Sequence, residues 1–292
     1  ASDGSAFNKA NSGSVQLHGG GLNNVAADFN GDGRTDMLGT NSSQSWHMCI
    51  ASETGFNCSN FWAVHGGGSS NNGVADFDGN GLTDIVGYGG NGWWDTRLSN
   101  GTNFLHNGLW YGHWGGQSNN VLSDFDGDGR TDSTGYRGSG QGWDMRFSAG
   151  TSFNNQGVWY GVDTPSNNII TGDFNGDGVS DMAGYTWNQN WWHVTFSNGT
   201  TFENAGNWWG PWKPADKTLS GDFNGDGLTD LAAYTGSGGV WHVALSTGVG
   251  FVSAGSWVGP AVDPPYTIAS DYNGDGLTDL AAYTGSNGLW HV

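Results

Sequence analysis

The chain has 292 residues, with 27 acids against 8 Lys and Arg and a formal net charge of -19. A charge balance so acidic, with no basic stripe, excludes nucleic acid as a partner. No run of about 18 apolar residues occurs, so no membrane span is expected, and 17 Trp in short alternating segments exclude a disordered chain.

The first element with a recognisable chemistry is the stretch DFNGDGRTD at residues 28–36. Five more copies follow at residues 76–84, 124–132, 173–181, 222–230 and 271–279, each 48 or 49 residues after the last. Positions one, three, five and nine always carry carboxylate or amide oxygens. They are Asp28, Asn30, Asp32 and Asp36; Asp76, Asp78, Asn80 and Asp84; Asp124, Asp126, Asp128 and Asp132. The later copies supply Asp173, Asn175, Asp177 and Asp181; Asp222, Asn224, Asp226 and Asp230; Asp271, Asn273, Asp275 and Asp279. Position six is Gly, where the chain must turn sharply. Oxygen-only ligation suits a hard cation, so about one Ca2+ per repeat is the expected cofactor. Nineteen of the 27 acids lie in these loops, and six bound Ca2+ would leave a net charge of about -7.

Each repeat reads as four short strands separated by turn residues. In the third copy they are expected near residues 121–125, 132–136, 142–148 and 152–160, with the acidic loop joining the first to the second. Asn100 and Gly101 mark the hairpin that follows a third strand. The step from Asp271 through the chain ends to Asp28 is again one repeat, and ASDGSAF at the start aligns with LSNGTNF at residues 98–104. The fold expected is all-β, a six-bladed β-propeller of four-stranded antiparallel blades, with residues 1–292 one domain and the last blade closed by both termini.

Trp46, Trp94, Trp143, Trp192, Trp241 and Trp290 recur in the third strand, and Trp62, Trp110, Trp159, Trp208 and Trp257 near the end of the fourth. A ring repeated this often reads as packing between blades. His47, Asp95, Asp144, His193, His242 and His291 follow the first set and read as hydrogen-bonding residues within each blade, because catalysis rarely needs six copies. Cys49 and Cys58 flank a turn and form either a cross-strand disulfide or two buried thiols.

Chain direction puts the acidic loops and the Asn-Gly hairpins on one face, and the remaining loops on the other. On that second face the candidate ligand-binding residues are His18, His65, His113, Trp114, Asn72, Asn120, Asn168, Tyr88, Tyr136, Tyr185, Trp187 and Trp212. Rings for stacking and amides for hydroxyl groups are what a sugar requires. Outside the loops the acids are few: Asp3, Glu53, Asp95, Asp144, Asp163, Glu203, Asp216 and Asp263. None has an evident partner for a glycosidase pair, so the chain reads as a binding protein and no catalytic residue is assigned.

The six acidic copies, each followed by an aromatic-ended strand, resemble the FG-GAP or VCBS type of repeat found in integrin heads and bacterial surface proteins. The trailing pattern WxVxxSNGTxF followed by GxW is similar to propeller lectins of the Psathyrella velutina type, which have seven blades where six are counted here. The resemblance implies a calcium-bearing propeller, secreted or at the cell surface, binding glycans through several weak sites. A polysaccharide lyase or glycosidase, or a protein-binding adhesion module, on the same scaffold is the alternative.

Overall fold

The computed structural model describes residues 25–40, 46–52, 55–61, 72–90, 92–112, 120–163, 169–186, 191–209, 217–234, 239–259, 267–284 and 289–291. Every regular element among them is a strand. The first sheet contains β1 (Val25–Ala27), β2 (Asp36–Thr40), β3 (Trp46–Ser52) and β4 (Gly55–Phe61); the second β5 (Asn72–Ala75), β6 (Asp84–Gly90), β7 (Trp93–Ser99) and β8 (Phe104–Tyr111). The third contains β9 (Asn120–Ser123), β10 (Asp132–Tyr136), β11 (Trp143–Ser148) and β12 (Phe153–Trp159); the fourth β13 (Ile169–Gly172), β14 (Asp181–Thr186), β15 (Trp191–Ser197) and β16 (Phe202–Trp208). The fifth contains β17 (Thr218–Gly221), β18 (Asp230–Tyr234), β19 (Val240–Ser246) and β20 (Phe251–Val258); the last β21 (Thr267–Ser270), β22 (Asp279–Thr284) and β23 (Leu289–His291).

All pairings are antiparallel between consecutive strands, so each sheet is a meander, the blade of a propeller. The first strands of successive sheets stand side by side, β1 by β5, β5 by β9, β9 by β13, β13 by β17, β17 by β21, and β21 by β1. The repeat period predicts six complete blades; the described residues form five, and the last sheet has three strands. Its fourth strand was assigned to the chain start, and residues 1–24 lie outside those described.

The strand sequences follow their depth. β10 and β18 are buried along their whole length, and in β18 Leu231 packs with the core of the preceding sheet while Ala232 packs with that of its own and the next. The outer strand β12 is exposed at its middle and buried at Phe153 and Trp159. Those two positions carry the contact between blades. Trp110 meets Phe153 of the next sheet at 5.1 Å between ring centres, Trp159 meets Phe202 at 5.2 Å and Trp208 meets Phe251 at 4.9 Å, all edge-on. Pairs of this kind add about 0.5–1.5 kcal/mol each beyond their burial. The fourth-strand Trp set therefore packs between blades as its repetition suggests, whereas Trp143, Trp192 and Trp241 tilt against Tyr136, Tyr185 and Tyr234 of their own sheets.

Each of β8, β12, β16 and β20 contains a bulge. In β12, Met145 pairs with Gly157 and Arg146 with Asn155, so Gln156 is the extra residue. The kink puts Gly157 at φ +80°, a region open to Gly at little cost. The bulge also serves the Trp that follows: Trp208 donates its indole N–H to the carbonyl of the extra residue Ala205, and Trp257 to that of Ala254. In the first sheet the irregularity falls where Cys49 and Cys58 are joined as a disulfide, which settles the choice left open by the sequence.

Candidate metal loops and the opposite rim

Each acidic loop is a set of side chains folded back on its own backbone. Asp28 accepts the Gly31 N–H at 2.7 Å on one carboxylate oxygen and the Gly33 N–H at 2.8 Å on the other. Asn30 accepts from Asp32 N at 2.9 Å, and Asp32 from Arg34 N at 2.9 Å. The same ladder recurs in the fourth loop, from Asp173 to Gly176 and Gly178, Asn175 to Asp177, and Asp177 to Val179. Gly31 and Gly33 stand at φ +79° and +82°, so the turn that gathers these oxygens is one only Gly makes without strain.

Position nine differs from the other three. Asp84 is fully buried and accepts Phe77 N at 2.8 Å and Ser99 N at 2.7 Å, tying the loop to the end of the third strand. Asp36, Asp132, Asp181 and Asp230 do the same, Asp36 through Ala51 and the others through Ser148, Ser197 and Ser246. Burial pushes the carboxyls of Asp36, Asp84, Asp181 and Asp230 up to about 7 and that of Asp132 up to about 8. Asp78 and Asp126 are also raised, chiefly by burial.

The donor set fits a hard cation. Asp76, Asp78 and Asp84 bring carboxylate oxygens within 4.8 Å of one another, as do Asp124, Asp126 and Asp128. In the second loop the cluster includes position nine; in the third it is built from positions one, three and five. Acidic groups able to hold a metal ion are thus present.

The loops are also linked to one another, which the sequence reading missed. Thr83 N donates to the Asp28 carbonyl at 3.0 Å, Thr131 N to Asp76, Ser180 N to Asp124, Thr229 N to Asp173 and Thr278 N to Asp222. Ser99, Ser148, Ser197 and Ser246 donate their hydroxyls to Phe29, Phe77, Phe125 and Phe174 of the preceding loop. The signal was the Thr or Ser at position eight of every copy and the Ser that ends these third strands. The Asn-Gly hairpins share this face as expected: a Cβ on Gly101 would lie 3.5 Å from the Asn30 carbonyl oxygen.

The residues after the third-strand Trp hydrogen-bond within their blades, as the sequence suggests. Arg146 Nη2 donates to Asp144 at 3.3 Å, His193 lies 3.0 Å from Asn204 and His242 3.0 Å from Ser256. Asp95 differs, since its Oδ1 lies 3.1 Å from His106 of β8 as an ion pair and makes no hydrogen bond among the described residues. The side chains of His47 and His291 lie outside those described.

On the opposite face the candidate ligand residues fare unevenly. His18, His65, His113, Trp114, Asn168, Trp187 and Trp212 lie outside the described residues, as do the side chains of Asn72 and Tyr88. Asn120 pairs with Gly135 at the start of β9 and is half-buried. Tyr185 is fully buried, and Tyr136 nearly so with its hydroxyl 2.6 Å from Asp163. Their rings face Trp192 and Trp143 and offer no open stacking surface, because period-2 alternation turns strand-end Tyr inward at this register.

Asp163 also accepts from Ser139 and Gly140 N, bonds that, with Tyr136, hold its carboxyl below the usual range. Desolvation and that same contact push Tyr136 up to about 12.

The exposed rings are one step further along. Trp93 is 43% exposed and pairs across the hairpin with Tyr111, ring centres 5.0 Å apart. Trp191 and Trp209, 39% and 38% exposed, flank the buried Trp192–Trp208 pair, and Tyr160, 68% exposed, follows Trp159. The doublets Trp93-Trp94, Trp191-Trp192 and Trp208-Trp209 were the available signal, since alternation sends one ring of each inward and leaves the other outside.

Residues 28–87 match the FG-GAP-like repeat. No curated protein sequence matches the chain. Among solved structures, the Photorhabdus luminescens Tc holotoxin pore is similar over 96% of this chain and 14% of its own, at 16% identity and a TM-score of 0.68. BBS1N in complex with ARL6DN is similar over 97% of this chain and 95% of its own, at 11% identity and a TM-score of 0.56. TcdB2-TccC3 is similar over 96% and 15%, at 17% identity and a TM-score of 0.56. The chain thus spans about a seventh of the holotoxin chain it matches. These likenesses concern the propeller fold.

Proposed function

We propose that the chain is a calcium-braced propeller that works outside the cytoplasm as a multivalent carbohydrate-binding module, with the exposed aromatic rings on its blade rims as sugar platforms. The observation that carries this is the repetition of part-exposed rings at one end of neighbouring outer hairpins: Trp93, edge-on to Tyr111, then Tyr160, then Trp191 and Trp209. Flat apolar faces beside polar loops suit the apolar side of a pyranose, and weak sites repeated on a rigid ring gain avidity on a glycan-coated surface. The oxygen-only clusters support Ca2+ as the brace, and the Cys49–Cys58 disulfide supports an oxidising compartment. In this reading the domain spans residues 1–292, and the chain start adds the missing strand to the last sheet, giving six blades.

The test is a glycan array probed in calcium and again in chelator, with Trp93→Ala combined with Trp191→Ala. Binding that falls at least about tenfold in the variant, while its melting temperature holds, supports the proposal. An array with no hit in calcium sinks it. A second reading, a protein-binding module, has its own support in BBS1N, whose structure is a complex with ARL6DN. Competition by free monosaccharide separates the two.

A further inference from the structure

Position seven is the one place where a loop carries a positive charge. Leu82, Val179, Leu228 and Leu277 occupy it in four loops; Arg34 and Arg130 occupy it in the first and third. In every copy this residue reaches back over the preceding loop. A Cβ on Gly31 would lie 2.6 Å from Leu82 Cδ2, one on Gly176 2.8 Å from Leu228 Cδ2, and one on Gly79 3.0 Å from Arg130 Cγ. The Arg stems keep that packing role while their guanidinium groups turn to the carboxylate at position five of their own loop. Arg34 Nη1 lies 3.8 Å from Asp32 Oδ2. Arg130 Nη2 donates to Asp128 Oδ2, and its Nε donates to the Ser148 carbonyl at 3.1 Å.

We infer that Arg34 and Arg130 are tethered counter-ions that compete with a divalent cation for the position-five carboxylate, which makes the first loop the weakest cation site of the six. The inference rests on the calcium reading above. The third loop offsets its Arg with a fourth acid, Asp126, where the first has Asn30. Counting Arg with the acids, the first loop carries a formal charge of two negatives and each of the others three. A cation entering the first loop meets less opposing charge and must displace a guanidinium already held there.

The fold tolerates the exchange that tests this, because sister loops carry Leu natively. The full chain, stripped of metal, is titrated with CaCl2, and hydrogen exchange is followed in peptides covering residues 28–36 and 222–230. In the wild type the first peptide should become protected at a higher calcium concentration than the second. Arg34→Leu should lower the midpoint of residues 28–36 about fivefold, the upper range for a partly exposed ion pair. Leu228→Arg should raise that of residues 222–230 by a similar factor, each leaving the other loop unchanged. A merely structural Arg34 would move the melting temperature without moving the calcium midpoint. One shared midpoint for all six loops, or an unmoved midpoint in Arg34→Leu, overturns the inference and leaves the calcium reading intact. Calcium protecting no loop overturns both.

Discussion

The Thr35 N–H donates to the Asp271 carbonyl at 3.2 Å, joining the acidic loop of the first sheet to that of the last. The Thr35 hydroxyl reinforces the seam, 2.6 Å from the same carbonyl and 2.6 Å from Ser270 Oγ. With the five equivalent bonds between successive loops, this makes an unbroken cycle. Acidic loops and blade contacts are therefore one mechanical system, and stability should respond to either.

Ser148 shows the size of one link. Its hydroxyl donates to the Phe77 carbonyl at 2.6 Å in a buried bond and accepts Gly150 N at 3.1 Å in a part-buried one. Ser148→Ala strands a buried carbonyl and should cost about 1–3 kcal/mol. Calorimetry should show a drop of a few degrees; an unchanged melting curve would mean that the bond carries no net stability.

The buried carboxylates give stability a pH dependence whose sign is fixed. Asp36, Asp84, Asp181 and Asp230 hold their protons up to about pH 7 and Asp132 up to about pH 8, whereas in the unfolded chain they release them near the ordinary 3.8. Without metal, their contribution is fully present below that ordinary value and is lost as pH rises through 7 to 8. A bound cation favours the charged form and works the other way. The gap in melting temperature between calcium-loaded and chelator-treated protein should widen from pH 5 to pH 8. A constant gap would refute the assignment of these groups.

Neighbouring residues on one strand should separate packing from binding. Trp159→Ala empties a contact with Phe202 and Phe147 and should cost about 3–5 kcal/mol. Tyr160→Ala, one residue on and exposed, should leave the melting temperature within about a degree while weakening glycan capture. The reverse pattern would place the binding rings on the wrong side of the alternation.

The disulfide closes a short loop, nine residues from Cys49 to Cys58. Chain-entropy arguments give about 2–3 kcal/mol for such a closure. Reducing agent should lower the melting temperature by several degrees, and the Cys49→Ala, Cys58→Ala double variant should show the same drop without reductant.

Much of the architecture was legible in the sequence because one device repeats. The Asp-Gly loops fix where two strands turn, and Phe or Trp at fixed distances from them mark the strand ends, so β9 to β12 fall within about two residues of expectation. The rings that face outward were harder to read. Tyr136 and Tyr185 looked available because aromatic type was visible and side-chain direction was not; one step of register separates buried Trp192 from half-exposed Trp191. The links between loops join residues more than a repeat apart: the Thr or Ser repeated at position eight marked one end of each, and nothing local names the other end, as in Thr83 to Asp28. Position nine reads as a ligand by spacing alone; its burial beneath the loop is a tertiary fact.

The extra residue in each outer strand has a result beyond seating its Trp. An outermost strand bares a row of amide and carbonyl groups that a stray chain can zip onto, and a stack of such sheets is the starting point of fibrils. By breaking that row near Asn107, Gln156, Ala205 and Ala254, the kinks interrupt the template on four of the rims. Straightening one, for instance by deleting Gln156, should promote self-association through that edge, read as a larger species in size-exclusion chromatography.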